Sequence, residues 1–174
     1  NHNINYTINY KTQFQYKLRQ WNNNDFKYWN QYKINKDLLK LYKIYPAKEV
    51  WIKQQNDSWK RCWINTIDNP IYLFFIRKYN LDDKLSFNEM NFKAYRPYQI
   101  EEYNRNSSYK WLNAINNEYI QGLEQLEYKT DNLFITSSLK DIMVLKNLNI
   151  EAIAPNAEGS YLNNNIIEYL KTKY

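Results

Sequence analysis

The chain has one cysteine, one histidine, two glycines and four prolines in 174 residues. Each scarcity excludes something. A lone Cys62 cannot close an internal disulfide, which suits a reducing compartment. Cys62 and His2 are too few to make a four-ligand zinc site. No apolar run approaches the ~18 residues of a membrane span, so no membrane partner is expected. No signal peptide is recognisable. No linker rich in Gly, Pro or Ser divides the chain, and no internal repeat is visible. The length suits one ordinary domain or two small subdomains. Such a chain buries roughly 70% of its unfolded surface, enough for a real core.

Aromatic residues are abundant: 18 Tyr, 7 Phe and 6 Trp supply bulk for that core. The heavy use of Asn, Lys, Tyr and Ile fits an A+T-rich gene, such as that of a phage, organelle or parasite. Charge is divided unevenly. Residues 1–80 hold 14 Lys and Arg against 5 Asp and Glu, whereas residues 81–174 hold 10 against 13. A basic half joined to an acidic half suits a protein that holds a polyanion on one side and divalent cations on the other.

Periodicity divides the chain into elements. Phe14, Tyr16 and Leu18 alternate with Gln15, Lys17 and Arg19, as in a half-buried strand over residues 10–19. Asn24 can cap a helix over 25–32, and Asn35 a second with Leu38, Leu39 and Tyr42 on its apolar face. Residues 44–79 read as strands. Pro46 suggests that the first lies at an edge. The run Ile71 to Ile76 suits a strand buried on both faces. Residues 81–89 read as a polar loop, 92–96 as a short strand, 101–108 as a second loop, and Gly122 as a break. From 133 the pattern is strand (133–136), helix (138–148), strand (152–154) and helix (165–171). This βαβα order implies parallel strands. The fold class expected is α+β: a mixed N-terminal lobe over 1–128, then a partial βαβα unit over 129–174.

Several motifs, in order, carry a resemblance. Tyr28-Trp29, followed by Leu38-Leu39 and Tyr42, is similar to the helical entry of the catalytic core in bacterial and phage DNA primases. Phe74-Phe75-Ile76 resembles the end of that family's Arg-ϕ-ϕ-Phe-Pro-Ile strand. Residues 92–96 resemble its Phe-Gly-Gly-Arg strand, with Arg96 at the arginine. Lys110-Trp111-Leu112-Asn113 resembles its Lys-Tyr-Leu-Asn motif, and Gly122 to Leu126 its Lys-Gly-x-x-Leu. Residues 133–141 resemble the strand, turn and helix that open the TOPRIM domain, and 149–156 its second strand. The family writes the turn Glu-Gly-x-x-Asp. Here Ser137 and Ser138 stand at the Glu and Gly, and Asp141 alone is kept. The closest likeness is to phage primase–helicases.

The resemblance implies part of a DNA primase, which makes RNA primers on single-stranded DNA during replication. It also implies Mg²⁺ or Mn²⁺ in the complete enzyme, and template, primer and ribonucleotides as partners, with a replicative helicase in cis or trans. It places the protein in a phage-infected bacterial cytoplasm or in an organelle with its own genome. The family's zinc module would lie before residue 1, and its Asp-x-Asp strand would follow Tyr174, so the chain is expected to be inactive alone. Asp141 is the expected catalytic and metal-binding acid. Its other reading is a helix-capping acid paired with Ser138. Glu158 follows the second strand, where parallel sheets bind ligands, and could replace the carboxylate missing at Ser137. Arg96, Lys110 and Asn113 are the expected nucleotide and nucleic-acid contacts, with Ser137, Lys17 and Arg19 beside them. Lys27, Lys33, Lys36 and Lys40 could extend that basic patch. The alternative is a binding or scaffolding module derived from a primase, without catalysis.

Overall fold

The computed structural model describes residues 13–82, 84–99 and 109–174. The expected 101–108 loop and the start of the first strand lie outside these. The chain is α+β; the described residues form an antiparallel six-stranded sheet, a parallel pair and four α-helices. The large sheet comprises β1 (Phe14–Leu18), β2 (Ile44–Lys53), β3 (Trp59–Ile64), β4 (Ile71–Leu81), β5 (Leu85–Tyr95) and β6 (Trp111–Asn113). Its order is β1-β2-β4-β5-β6, with β3 on β2. β2 is long enough to serve two partners on one side. Ile44 to Ala47 pairs with β4, and Glu49 to Lys53 pairs with β3.

Two helices intervene between β1 and β2: α1 (Asn23–Asn30) and α2 (Lys36–Leu41). Asn22, not Asn24, caps α1. Its side chain accepts from the Asn24 and Asp25 amides, while the Asp25 carboxylate accepts from the Asn22 amide, a reciprocal box. That reciprocity needs an acid three positions on, which Asn22 has in Asp25. Asn35 caps α2 as its sequence indicates. Trp29, Leu38, Leu39 and Tyr42 then pack on Ile44, Tyr72 and Phe74 of the sheet.

Two expectations are corrected. Pro46 lies in an interior strand, between β1 and β4. Its carbonyl accepts from the Arg19 amide just beyond β1. In a strand, N and C=O of one residue face the same way, so the missing N–H of Pro46 faces a point where β1 has already ended. The 81–89 loop is instead a hairpin, β4 running to Leu81 and β5 starting at Leu85. Tyr79, Leu81, Leu85 and Phe87 keep a period of two across the turn and pack half-buried on a cluster of Ile120, Leu123, Ile153, Ile166 and Leu170. The acidic Asp82 hid that alternation.

The expected βαβα order is present. β7 (Leu133–Ile135) and β8 (Glu151–Ile153) pair in parallel around α3 (Leu139–Lys146), and α4 (Asn164–Lys171) follows. Ser138 caps α3. One apolar cluster joins this unit to the large sheet: Leu139, Ile142, Met143, Ala152 and Ala154 pack with Tyr72, Phe74 and Tyr95. Glu151 anchors the connection. Its buried carboxylate accepts from the amides of Glu127, Tyr128 and Lys129 and from the hydroxyls of Thr130 and Tyr174. Burial opposes ionisation, but these donors outweigh it and lower the Glu151 pKa.

Gly122 sits at φ +81°, beside β8. A Cβ there would stand 2.9 Å from the Ala152 carbonyl oxygen and 3.0 Å from Ile142. Gly122→Ala is therefore expected to lower the unfolding free energy by about 1–3 kcal/mol, from left-handed strain and the backbone contact together. Urea denaturation of both proteins measures this, and an unchanged midpoint would mean the joint has slack.

Among the described residues β7 pairs with β8 alone, and Phe134 and Ile135 are half to two-thirds exposed. The Thr136 amide donates to Ile153, so by alternation the Ile135 amide faces outward. Native-state hydrogen exchange should find Ile135 fast and Thr136 slow. Slow exchange at Ile135 would reveal a covering strand or partner at this edge.

Candidate functional site

The parallel pair is the natural place to build a site. Strand carboxyl ends in parallel sheets leave unpaired backbone groups and a helix N-terminus at one mouth. Here the mouth is formed by the 136–138 turn after β7 and the 154–160 loop after β8. Both sequence-marked acids belong to it. Asp141 lies in the first turn of α3. Its Oδ2 accepts from the hydroxyls of Thr136 (3.2 Å), Ser137 (3.1 Å) and Ser138 (2.8 Å). The Asp141 amide donates back to the Ser138 hydroxyl. Glu158 is exposed on the second loop.

The antiparallel sheet supplies a cation to this mouth, at a position the motifs did not mark. Lys93 on β5 is only 7% exposed. Its Nζ donates to the Asn156 carbonyl at 2.8 Å and lies 4.9 Å from the centre of the Trp111 ring. Burial lowers its pKa to about 8. A lysine is buried at such a cost only where packing or function holds it there. Asn113 is the cross-strand partner of Lys93. It is exposed, and its Oδ1 accepts from the Ile115 amide.

Arg96 goes elsewhere. Strand side chains alternate, so Lys93 and Tyr95 face the cluster shared with α3, while Ala94 and Arg96 face the other side. The Arg96 guanidinium lies 5.2 Å from the Trp63 ring centre, and its Nε is buried without a hydrogen bond. Burial lowers its pKa. Lys110 Nζ lies 5.9 Å from the Tyr95 ring centre. Lys93 thus reaches the loop after β8 that carries Glu158, with Asn113 as its cross-strand neighbour, while Ser137 and Asp141 belong to the turn after β7 and the helix start beside it, and Arg96 faces the other side of the sheet. The missed signal was parity. Arg96 carries the motif likeness, but Lys93 is an odd position like Tyr95 and Trp111.

The basic patch is also sorted. Lys17 is exposed on β1, in register with Glu49. Arg19 is consumed inside the protein. Its guanidinium grips the buried Asp25 carboxylate with two bonds, of 2.6 and 2.7 Å, and donates Nε to Asn65. Tyr72 donates to the same carboxylate at 2.9 Å. Arg19 is a packing and capping element here, with 14% of its side chain exposed. Lys36 rests on the Phe26 ring.

Among the described residues, no three His, Cys, Asp or Glu side chains group to hold a metal ion. Asp141 Oδ2 is already occupied by three hydroxyls, and Ser137 brings no charge. These residues alone do not fit a Mg²⁺ or Mn²⁺ centre, which needs several carboxylate or phosphate oxygens. No helix among the described residues is long and apolar enough to cross a membrane. In comparisons with known proteins, the chain matches no family model, no curated protein and no solved structure.

The Lys93 pKa makes a pH prediction. Its folded value, about 8, lies below the ordinary 10.5, so between these pH values the unfolded chain holds a proton the folded chain lacks. Stability from this group therefore rises with pH across that window, and below it the penalty is constant. Urea unfolding of wild type and Lys93→Met at about pH 7, 8, 9 and 10 should show wild type gaining on the variant. A constant difference would mean that the ammonium is solvated.

Proposed function

We propose that the chain is part of a primase-type core that holds single-stranded DNA and a nascent primer, and that it does not synthesise primers by itself. The observation that carries the reading is the bond from buried Lys93 of the antiparallel sheet to the loop after β8, at the mouth of the parallel pair. Lys93 and Asn113 come from the antiparallel sheet, Ser137 from the turn after β7, Asp141 from the first turn of α3 and Glu158 from the loop after β8. Phosphoryl transfer needs cationic and acidic groups on opposite sides of a nucleotide. The ordered motif likeness to primases points the same way.

Each residue has a role in this reading. Lys93 holds the Asn156 loop, which carries Glu158, and sets a positive potential at the mouth. Ser137 offers a hydroxyl donor for a phosphate oxygen. Asn113 faces the base or ribose. Lys17 tracks the backbone from β1. Asp141 orders the hydroxyl-rich turn. Mg²⁺ or Mn²⁺ belongs to the complete enzyme in this reading, and a helicase would act with it in cis or in trans.

A second reading is a binding module without catalysis. What favours it is the saturation of Asp141 Oδ2 by three hydroxyls, together with the lack of a metal-binding group among the described residues.

Two measurements bear on these readings. The chain alone should incorporate no labelled ribonucleotide on a single-stranded template with Mg²⁺ or Mn²⁺. Incorporation above a blank preparation would make it a self-sufficient polymerase. It should bind single-stranded DNA weakly. With about four phosphates neutralised, log K should fall with log salt at a slope of roughly −3. A slope near zero, or no binding at low salt, would overturn both readings.

A further inference from the structure

A cleft of about 670 Å³ opens between α1 and the turn from β3 to β4. Its floor is the Asp25 carboxylate, already neutralised by Arg19. Lys27 and Gln31 stand on the α1 wall and Asn65 on the other. Tyr98 forms the rim, 53% exposed, with its ring edge-on to buried Tyr28 at 5.6 Å.

The lining selects a ligand class. Gln31 spends its nitrogen on the Tyr28 carbonyl, and Asn65 spends its oxygen on Arg19. An acceptor on Gln31 and a donor on Asn65 remain for a ligand. Tyr98 has a ring to stack against, and Lys27 is an exposed cation at the edge. A flat heterocycle with donors and acceptors on its rim and an anionic linkage at one side fits all three features.

The cleft wall is tied through the core to Lys93. Tyr28 and Tyr95 touch through their hydroxyls at 3.1 Å, Tyr95 stacks on Trp111 at 4.2 Å, and Lys93 lies over Trp111. This buried aromatic seam fixes the cleft wall relative to Lys93.

We propose that this cleft receives an unstacked base of a single-stranded nucleic acid. The base stacks on Tyr98 and pairs its edge with Gln31 and Asn65, and its phosphate meets Lys27. This rests on the single-strand-binding reading above and adds a base-binding subsite to it.

The test is fluorescence anisotropy with a labelled oligothymidylate and with an abasic strand of equal length. Thermal melts of each variant check folding. Tyr98→Ala should weaken oligothymidylate binding roughly tenfold and leave the abasic strand unaffected. Lys27→Ala should weaken both and reduce the salt slope by about 1. If wild type binds and Tyr98→Ala binds equally well, or loses both strands alike, the cleft holds no base, while the single-strand reading stands. If wild type binds neither strand, both fail. Binding of a neutral oligosaccharide that is lost in Tyr98→Ala would overturn the proposal and assign the cleft to sugars.

Discussion

The Gln121–Gly122 step is the joint on which the rest of the structure depends. Gln121 is buried, and all four of its polar groups are used. Its amide donates to the Ala154 carbonyl at 2.8 Å, and its own carbonyl accepts from the Ala154 amide at 3.0 Å. Its side chain donates to the Pro155 carbonyl and accepts from the Leu139 amide. One residue thus fixes the end of β8, the loop after it and the first turn of α3. Gly122 lets the backbone approach Ala152 where no side chain would fit. Two residues earlier, Tyr119 bridges to Lys78 on β4, so the joint is bolted to the large sheet. A buried amide left half-bonded would be destabilising, and a fully bonded one specifies a single arrangement.

Two buried carboxylates do a similar job by different means. Asp25 is paired with Arg19, capped into α1 and bonded to Tyr72, so three elements agree on one point. Glu151 makes no direct ion pair among the described residues. It is held by three consecutive amides and two hydroxyls. Buried pairs of the first kind add little net stability but penalise alternatives, because either partner left alone is costly. Lys93 is the contrast. It is a buried cation bonded to a neutral carbonyl, and that imbalance makes it stand out at the mouth of the parallel pair.

Much of the fold was legible in the sequence. The strand at Phe14 to Leu18, though not its half-buried face, the caps at Asn35 and Ser138, the apolar run from Ile71 and the βαβα order were all local signals. They could be read because the chain's own neighbours determine them. The same local reasoning found the turn that holds Asp141, since a Ser followed three residues later by an acid is a capping pattern wherever it occurs.

What the sequence could not determine was which side chains meet. Lys17 lies on β1 and Arg19 just beyond its end, yet one is exposed and the other is locked on Asp25. Arg96 and Lys93 lie three apart, which in a strand means opposite faces, and only the packing of α3 on one face decided which of them reaches the parallel mouth. The 81–89 hairpin and the interior place of Pro46 likewise needed their partners, because a strand is completed by pairing that its own residues do not encode. The sequence by itself determined the local elements, through periods and caps. The tertiary structure alone decided which face of each was buried and which cation met the acids, because those depend on contacts between residues far apart in the chain.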